Sequence, residues 1–204
     1  MRVTRALRLQ LLKWRAELSA GAERVGWKVG RGLVEGEEHL EPVIGYLTSA
    51  TRLEPGGVYL AGSAKELRVD AELALEVGAE SRPARYGAAL ELVDVSSPRS
   101  DFETIVARNV WHRAVVFGPL RPEPPPEIVH ATVRINGATA RDGEQRVDPL
   151  EAVRLVERLL GAVGEQLQPG DRIIAGSIVQ LPVVAGNDVR VDLGVLGQVG
   201  VKLG

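Results

Sequence analysis

The sequence predicts an α+β fold: a mixed, β-rich curled sheet or barrel-like core with a few helices packed outside it. Two observations support this prediction. Many short stretches alternate apolar with polar residues and are bounded by glycine or proline, which is typical of strands. Only two longer stretches repeat apolar residues at the spacing of an amphipathic helix, and no internal repeat is present. This mixture favours a curled sheet flanked by helices.

Length and composition narrow the function classes. The 204 residues predict a single domain over residues 1–204, with residues 1–23 as a short N-terminal helical extension. The net charge of −2 gives no support for binding to nucleic acid or to an anionic membrane. No apolar run approaches the ~20 residues that span a bilayer, and the N-terminus lacks the apolar centre of a signal peptide. We therefore expect a cytoplasmic protein that binds neither nucleic acid nor membrane.

The absence of cysteine excludes disulfides, thiolate metal sites and cysteine nucleophiles. The three histidines, His39, His112 and His130, lack the spacing of a zinc site. Any bound metal would therefore be a hard ion with oxygen ligands, such as Mg²⁺ or Mn²⁺.

The N-terminal third begins with a helix predicted over residues 4–20, on which Leu7, Leu11, Trp14 and Leu18 form the apolar stripe. A short strand over residues 26–30 follows, and it places Lys28 on the face opposite Trp27 and Val29. Residues 33–47 are predicted to form a glycine-punctuated loop, long enough to cover a site as a lid. A short strand follows at residues 58–60.

The most informative strand runs from Leu67 to Gly78 and alternates with period two. Asp70 and Glu72 point to the same side of this strand, with Cα atoms roughly 7 Å apart. Two interpretations are open at this point. The two carboxylates either converge on one cation or form the solvated polar face of a half-buried strand.

The remaining elements follow from turn and cap signals. Residues 88–94 form an apolar run that carries Glu91, and residues 129–135 alternate up to Asn136-Gly137, a strong hairpin signal. Asp148 and Pro149 have the residue types of a helix N-cap and first turn, and this helix is predicted to close at Gln168–Asp171. Further strands are predicted over residues 172–175, 182–184, 189–193 and 198–203.

Four stretches, taken together, resemble the fumarylacetoacetate hydrolase superfamily, and within it the branch of 2-keto-4-pentenoate hydratase and 4-oxalocrotonate decarboxylase. They cover roughly residues 24–204, and their order and spacing carry the resemblance. They are Gly26-Trp27-Lys28-Val29-Gly30, Val69-Asp70-Ala71-Glu72-Leu73-Ala74, Ala89-Leu90-Glu91, and residues 167–177 followed by 183–187 and 196–199.

The resemblance implies a divalent-metal-dependent lyase, first a hydratase, that acts on a small 2-hydroxy-2,4-dienoate or 2-oxo acid. It assigns the Mg²⁺ or Mn²⁺ ligands to Asp70, Glu72 and Glu91. Lys28 would neutralise the substrate carboxylate or assist proton transfer, and Ser177 would contact the substrate. The family also implies a homodimer or larger homo-oligomer.

Three departures from the branch pattern affect the catalytic prediction more than the fold. Val43 stands where the branch has an acid, so Glu41, or Glu38 from the same loop, is the candidate replacement. Residues Arg108-Asn109-Val110-Trp111 occupy the place of the branch's D-N-x-S motif and lack its acid and its serine. The first metal ligand is Asp70, where the branch has glutamate.

The alternatives are a 2-oxo acid decarboxylase, a C–C bond hydrolase that pairs His39 with a nearby glutamate, and a degenerate homologue that only binds a ligand.

Overall fold

The computed structural model describes residues 2–32, 41–62, 64–96 and 102–204. Within these ranges the chain forms three α-helices and twelve strands. The helices are α1 (Arg2–Ser19), α2 (Phe102–Ala107) and α3 (Pro149–Gly161). The strands are β1 (Arg24–Gly32), β2 (Glu41–Thr48), β3 (Arg52–Leu53), β4 (Val58–Tyr59), β5 (Leu67–Val77), β6 (Pro83–Asp94), β7 (His112–Phe117), β8 (Ile128–Ile135), β9 (Ala138–Arg146), β10 (Arg172–Pro182), β11 (Asp188–Asp192) and β12 (Gln198–Leu203).

The strands form two sheets. The larger has seven strands in the order β2-β1-β10-β5-β6-β7-β3 and curls into a half-barrel. The smaller has five strands in the order β4-β12-β11-β8-β9. Parallel and antiparallel pairs both occur, since β1 runs parallel to β10 whereas β5 runs antiparallel to β6 and β10. The α+β, curled mixed-sheet fold predicted from the sequence is confirmed.

Apolar side chains from both faces of the seven-stranded sheet are buried. One face packs against the five-stranded sheet, with Leu73 and Leu90 among the residues buried between the two sheets. Trp27 is buried with apolar residues of α1 and α3. The opposite face carries a smaller apolar cluster, formed by Leu47, Ala74, Ala89, Val115, Phe117, Leu120 and Ile174. The acidic residues Asp70, Glu72 and Glu91 lie on this second face, because β5 and β6 alternate and pair in register.

A charged cluster joins α1, β1 and β10. Arg24 donates from Nε to Asp171 Oδ1 at 2.6 Å, and its guanidinium lies 5.5 Å and 5.4 Å from the ring centroids of Trp14 and Trp27. The indole of Trp27 also donates to Asp171, at 3.2 Å. Guanidinium groups stack well on aromatic faces while pairing with carboxylates. Arg24 of β1 therefore contacts both α1, through Trp14, and the residue that precedes β10, Asp171.

The loop predicted over residues 33–47 is wrong for its last part. Residues 41–47 belong to β2, which pairs antiparallel with β1 along its whole length. Pro42 and Gly45 indicated a loop, but β2 is an edge strand, and an edge strand tolerates a proline because one side of its backbone has no partner. Residues 33–40, with Glu38 and His39, lie outside the described residues.

Two boundaries in the last third are also corrected. The strand predicted at 172–175 is the start of β10, which continues through a bulge between Ala175 and Val179 and ends at Pro182, so residues 183–184 of the strand predicted at 182–184 lie outside any strand. The helix predicted to close at Gln168 ends at Gly161, where a turn with Gly164 at φ +83° stops it. Its start is as predicted, since Asp148 accepts from the Glu151 amide at 2.9 Å.

None of the described helices has the length and apolar character needed to cross a membrane.

Candidate metal centre

Three buried carboxylates meet on one face of the curled sheet. Asp70 and Glu91 are directly opposite each other in the β5–β6 register, and Glu72 lies one pleat further along β5. One carboxylate oxygen from each residue lies within 4.8 Å of those of the other two. The three residues are at most 4% exposed, so the interpretation of a solvated polar face is wrong. Three acids this close and this buried need compensation by a cation or by protons.

Burial gives the three acids different proton affinities. Loss of solvent, with the charge of Glu91 adding to it, raises the pKa of Asp70 to about 6. Burial and the charges of Asp70 and Glu91 raise the pKa of Glu72 well above its ordinary value. Two of the three acids therefore favour protons when no other cation compensates them.

Glu91 differs because cationic and hydrogen-bonding groups surround it. Lys28 donates from Nζ to Glu91 Oε1 at 2.5 Å, and His112 Nδ1 lies 2.7 Å from the same oxygen. Burial alone would raise its pKa, but the ammonium of Lys28 and the contact with His112 outweigh burial, and the pKa of Glu91 is lowered. Lys28 is buried as well, and also donates to the Val110 carbonyl at 3.1 Å.

Ser177 reaches the acids through the bulge in β10. Residues 176–178 lie opposite Glu72 alone, and Gly176 and Ser177 have φ values of +127° and +44°. The Ser177 hydroxyl donates to Asp70 Oδ1 at 2.9 Å, and its backbone amide contributes a hydrogen bond to Glu72. Ser177 is itself exposed, so it connects Asp70 to the outside of the centre.

The residues present fit a divalent cation. Glu72 Oε2 is buried and has no hydrogen-bond partner in the described part of the chain. A Cβ placed on Gly176 would lie 3.8 Å from that oxygen, so a side chain at this position would contact Glu72. Three carboxylates and the one ammonium of Lys28 leave two net negative charges, which one dication would neutralise. Carboxylate oxygens are the ligands that Mg²⁺ and Mn²⁺ prefer.

The structure thus brings together five residues singled out from the sequence: Lys28, Asp70, Glu72, Glu91 and Ser177. Glu41, the candidate acid, is the first residue of β2 and pairs with Gly32, but its side chain lies outside the described part of the chain. Val43 is fully buried on the same strand.

Two polar residues near Lys28 were missed in the predictions from the sequence. Asn109 is buried, accepts from the Tyr46 amide at 2.7 Å and donates to the Tyr46 carbonyl at 2.9 Å. It opens a turn in which Asn109, Val110 and Trp111 all have positive φ, and this turn presents the Val110 carbonyl to Lys28. Asparagine tolerates positive φ better than most residues, which was the available signal.

The second missed residue is His112, which contacts Glu91 on one side and Thr51 on the other. Its Nε2 lies 2.9 Å from Thr51 Oγ1. The register changes between Leu92, which pairs with Ala114, and Val93, which pairs with His112, so Arg113 is the extra residue of a bulge. That bulge places His112 on the face of Glu91, whereas simple alternation from Val115 would place it on the other face.

Comparisons with known proteins find similarity in structure. A scan against protein-family models and a search of curated proteins each find no match. The solved structure of 4-oxalocrotonate decarboxylase from Pseudomonas putida G7, complexed with magnesium and adipate, matches with a TM-score of 0.82 and 21% identity over 97% of this chain and 84% of that chain. The form complexed with calcium and acetate gives a TM-score of 0.84 and 22% identity over the same shares.

A fumarylpyruvate hydrolase from Pseudomonas aeruginosa, in complex with Mn²⁺ and pyruvate, matches with a TM-score of 0.63 and 16% identity over 89% of each chain. These structural neighbours are enzymes of the fumarylacetoacetate hydrolase superfamily. The chain therefore has the fold of that superfamily, as the resemblance in its sequence predicted.

Proposed function

We propose that the chain is an enzyme that binds Mg²⁺ or Mn²⁺ through Asp70, Glu72 and Glu91 and acts on a small 2-oxo acid. The observation that carries the proposal is the buried triad itself: its ionised form has two more negative charges than Lys28 neutralises, and its Glu72 Oε2 has no hydrogen-bond partner among the described residues. The fold supports it, since structural neighbours with this fold bind Mg²⁺ with adipate or Mn²⁺ with pyruvate.

A bound divalent cation would supply Lewis-acid chemistry, by polarising the carbonyl of a 2-oxo acid. The chain's own residues would bind and orient the substrate. An ammonium has three N–H donors, and Lys28 uses two of them on Glu91 and Val110. We assign the third to the substrate carboxylate. The exposed hydroxyl of Ser177, next to Asp70, is the proposed second contact.

The first candidate reaction is hydration of a 2-hydroxy-2,4-dienoate, in which water adds to the tautomerised, unsaturated 2-oxo acid. Water addition needs a group that moves a proton, and Glu41 is the proposed residue. The candidate dyad of the alternative C–C hydrolase includes His39, outside the described residues.

Decarboxylation is the second candidate, and one observation favours it. Val43 stands where the branch has its acid, and it is fully buried. Loss of CO₂ leaves the bonding electrons on the substrate as an enolate, so this reaction needs a proton donor but no activated water. The replacement of the branch's acid by Val43 suits that requirement.

Metal binding is the direct test. Calorimetric titration of EDTA-stripped protein with Mn²⁺ is expected to give one site per chain, tightened by oxalate as a mimic of a 2-oxo acid. Glu72→Gln and Glu91→Gln should each abolish binding without unfolding the chain, whereas Glu123→Gln, at an exposed position, should bind normally. Absence of Mn²⁺ binding by the unaltered protein would contradict the proposal.

The reaction product then distinguishes a hydratase from a decarboxylase. NMR of a 2-hydroxy-2,4-dienoate incubated with the Mn²⁺-loaded protein should show the hydrated 2-oxo acid if the chain is a hydratase. CO₂ release from a 2-oxo acid with a second carboxylate would identify a decarboxylase.

A further inference from the structure

We propose that His112 is a positioning residue of this centre: it holds Glu91 so that one carboxylate oxygen, not both, faces the cation. This leaves a coordination position open for a bidentate 2-oxo acid. The inference rests on the proposed function and extends it to a residue that does not itself touch metal or substrate.

The first support is geometric. The His112 side chain is 1% exposed, and both of its ring nitrogens have partners. Nδ1 lies 2.7 Å from Glu91 Oε1, and Nε2 lies 2.9 Å from Thr51 Oγ1. Rotation of the imidazole would break both contacts inside the protein, where an unmade hydrogen bond is costly. The ring is therefore fixed, and it fixes Glu91 in turn.

The tautomer follows from the neighbours. Glu91 Oε1 already accepts from the Lys28 ammonium, and a carboxylate that serves as a metal ligand can only accept hydrogen bonds. The hydrogen between His112 and Glu91 must therefore be on Nδ1. On the other side of the ring, Nε2 contacts Thr51 Oγ1, whose hydroxyl also lies 3.4 Å from the Thr48 carbonyl oxygen. Thr51, His112 and Glu91 therefore form one continuous chain of contacts.

The second support is the number of donors on one oxygen. Glu91 Oε1 accepts from both Lys28 and His112, which occupies both of its lone pairs. Only Oε2 then remains for a cation. Without His112, a lone pair of Oε1 is freed and the carboxylate can turn to bind the cation through both oxygens. Outer partners of this kind orient metal ligands, and their loss typically weakens metal binding by roughly 10- to 100-fold.

The third support is the local backbone. The bulge at Arg113 turns His112 onto the face of Glu91, and the positive-φ turn before it carries the carbonyl that holds Lys28. Both donors to Glu91 Oε1 are thus set by one irregular segment, residues 109–113. Bulges commonly re-aim a side chain next to a site.

The test compares three variants in Mn²⁺ titrations with and without oxalate. We expect His112→Leu to weaken Mn²⁺ binding roughly 10- to 100-fold and to reduce the tightening by oxalate. His112→Asn, whose amide can reach the Nδ1 position, should recover most of both. The matched control is His130→Leu, because His130 also pairs with a glutamate, Glu144, but at an exposed surface. The electron paramagnetic resonance spectrum of bound Mn²⁺ should change in His112→Leu, but not in His112→Asn or His130→Leu.

The outcomes separate this inference from the proposed function. If the unaltered protein binds no Mn²⁺, the proposed function fails and the role of His112 fails with it. If the unaltered protein binds Mn²⁺ and His112→Leu binds it equally well, with the same oxalate effect and spectrum, only the inference is overturned. Thr51→Val gives a second test, because it removes the contact with His112 Nε2 but keeps the imidazole ring. We expect Thr51→Val to weaken Mn²⁺ binding less than His112→Leu does. Thr51→Ser keeps the hydroxyl and should bind Mn²⁺ normally.

Discussion

At the scale of single residues, Lys28 has surroundings that are unusual for a lysine. It is buried on the face of the acids, and its ammonium contacts Glu91 and the Val110 carbonyl. Burying an ammonium is costly unless it is paired and hydrogen-bonded. Here the pairing partner is also a proposed metal ligand, so Lys28 stabilises the ionised triad and remains available to an anionic ligand.

This arrangement predicts a difference between anion and metal binding. Lys28→Met should weaken oxalate binding to the Mn²⁺-loaded protein roughly 10- to 100-fold, because a hydrogen bond between charged groups contributes about 1.5–3 kcal/mol. Mn²⁺ binding itself should change less than oxalate binding, since the loss of one donor to Glu91 is offset by the removal of a positive charge beside the ligands. Calorimetry on both ligands measures the two effects. Lys65→Met, at an exposed position, is the control, and equal oxalate affinity in the Lys28 variant and the parent would remove Lys28 from the site.

The residues of the triad were predictable because strand alternation is a local property. Asp70 and Glu72 share a face by period two alone, and the family resemblance added Glu91. His112 was not predictable in the same way, because a one-residue bulge reverses the alternation of its strand. In the sequence, His112 stands three residues after Asn109, and neither residue type indicates a contact with Glu91.

At the scale of elements, the close approach of β1 to β10 positions Lys28. Gly26 has φ +148°, and a Cβ placed there would lie 1.9 Å from the Arg172 carbonyl oxygen. We expect Gly26→Ala to lower the free energy of unfolding by at least about 2 kcal/mol, because neither backbone can move without disrupting the parallel pair. Urea unfolding monitored by circular dichroism measures this loss.

The matched control for that prediction is Gly161→Ala, at the end of α3, where an added Cβ has no atom within 4 Å. It should leave stability unchanged or raise it slightly, since alanine is the better helix former. A Gly26→Ala protein as stable as its parent would show that β1 and β10 need no glycine at their contact.

Elements with a strong local signal were predicted well, and elements defined by their neighbours were not. Asp148 and Pro149 marked the start of α3, and Asn136-Gly137 marked the β8–β9 hairpin, with both turn residues at positive φ. By contrast, β2 contains a proline and a glycine, and its identity as a strand depends on pairing with β1. The continuity of β10 through its bulge likewise depends on β5, which lies outside the local sequence.

At the scale of the whole molecule, the candidate centre depends on elements distant in the chain. Lys28 comes from β1, the acids from β5 and β6, His112 from β7 and Ser177 from β10. The prediction of one domain over residues 1–204, with an N-terminal helical extension, agrees with this but remains a prediction. The homodimer or larger assembly also remains a prediction, which sedimentation equilibrium of the purified protein would test.

The stability of the whole chain should depend on pH in opposite ways with and without metal. The pKa of Asp70 is raised from 3.8 to about 6, and that of Glu72 is raised well above its ordinary value of 4.5. Between pH 4 and 6 these two acids bind more protons in the folded, metal-free chain than in the unfolded chain, so their contribution to stability falls as the pH rises. The lowered pKa values of Glu91 and Asp94 act in the opposite direction at the acidic end of this range. From Asp70 alone the loss between pH 4 and 6 amounts to roughly 2 kcal/mol.

Mn²⁺ binds the ionised acids, so in saturating Mn²⁺ the loss on raising the pH should vanish or reverse. Thermal unfolding in EDTA and in Mn²⁺ from pH 4 to 7 measures both trends. Because an amide carries no proton to lose, Asp70→Asn with Glu72→Gln should flatten the EDTA profile and abolish the effect of Mn²⁺. A parent protein with the same EDTA profile as the double variant, and with no response to Mn²⁺, would mean that Asp70 and Glu72 bind neither protons nor a cation on folding, and the metal centre would have to be abandoned.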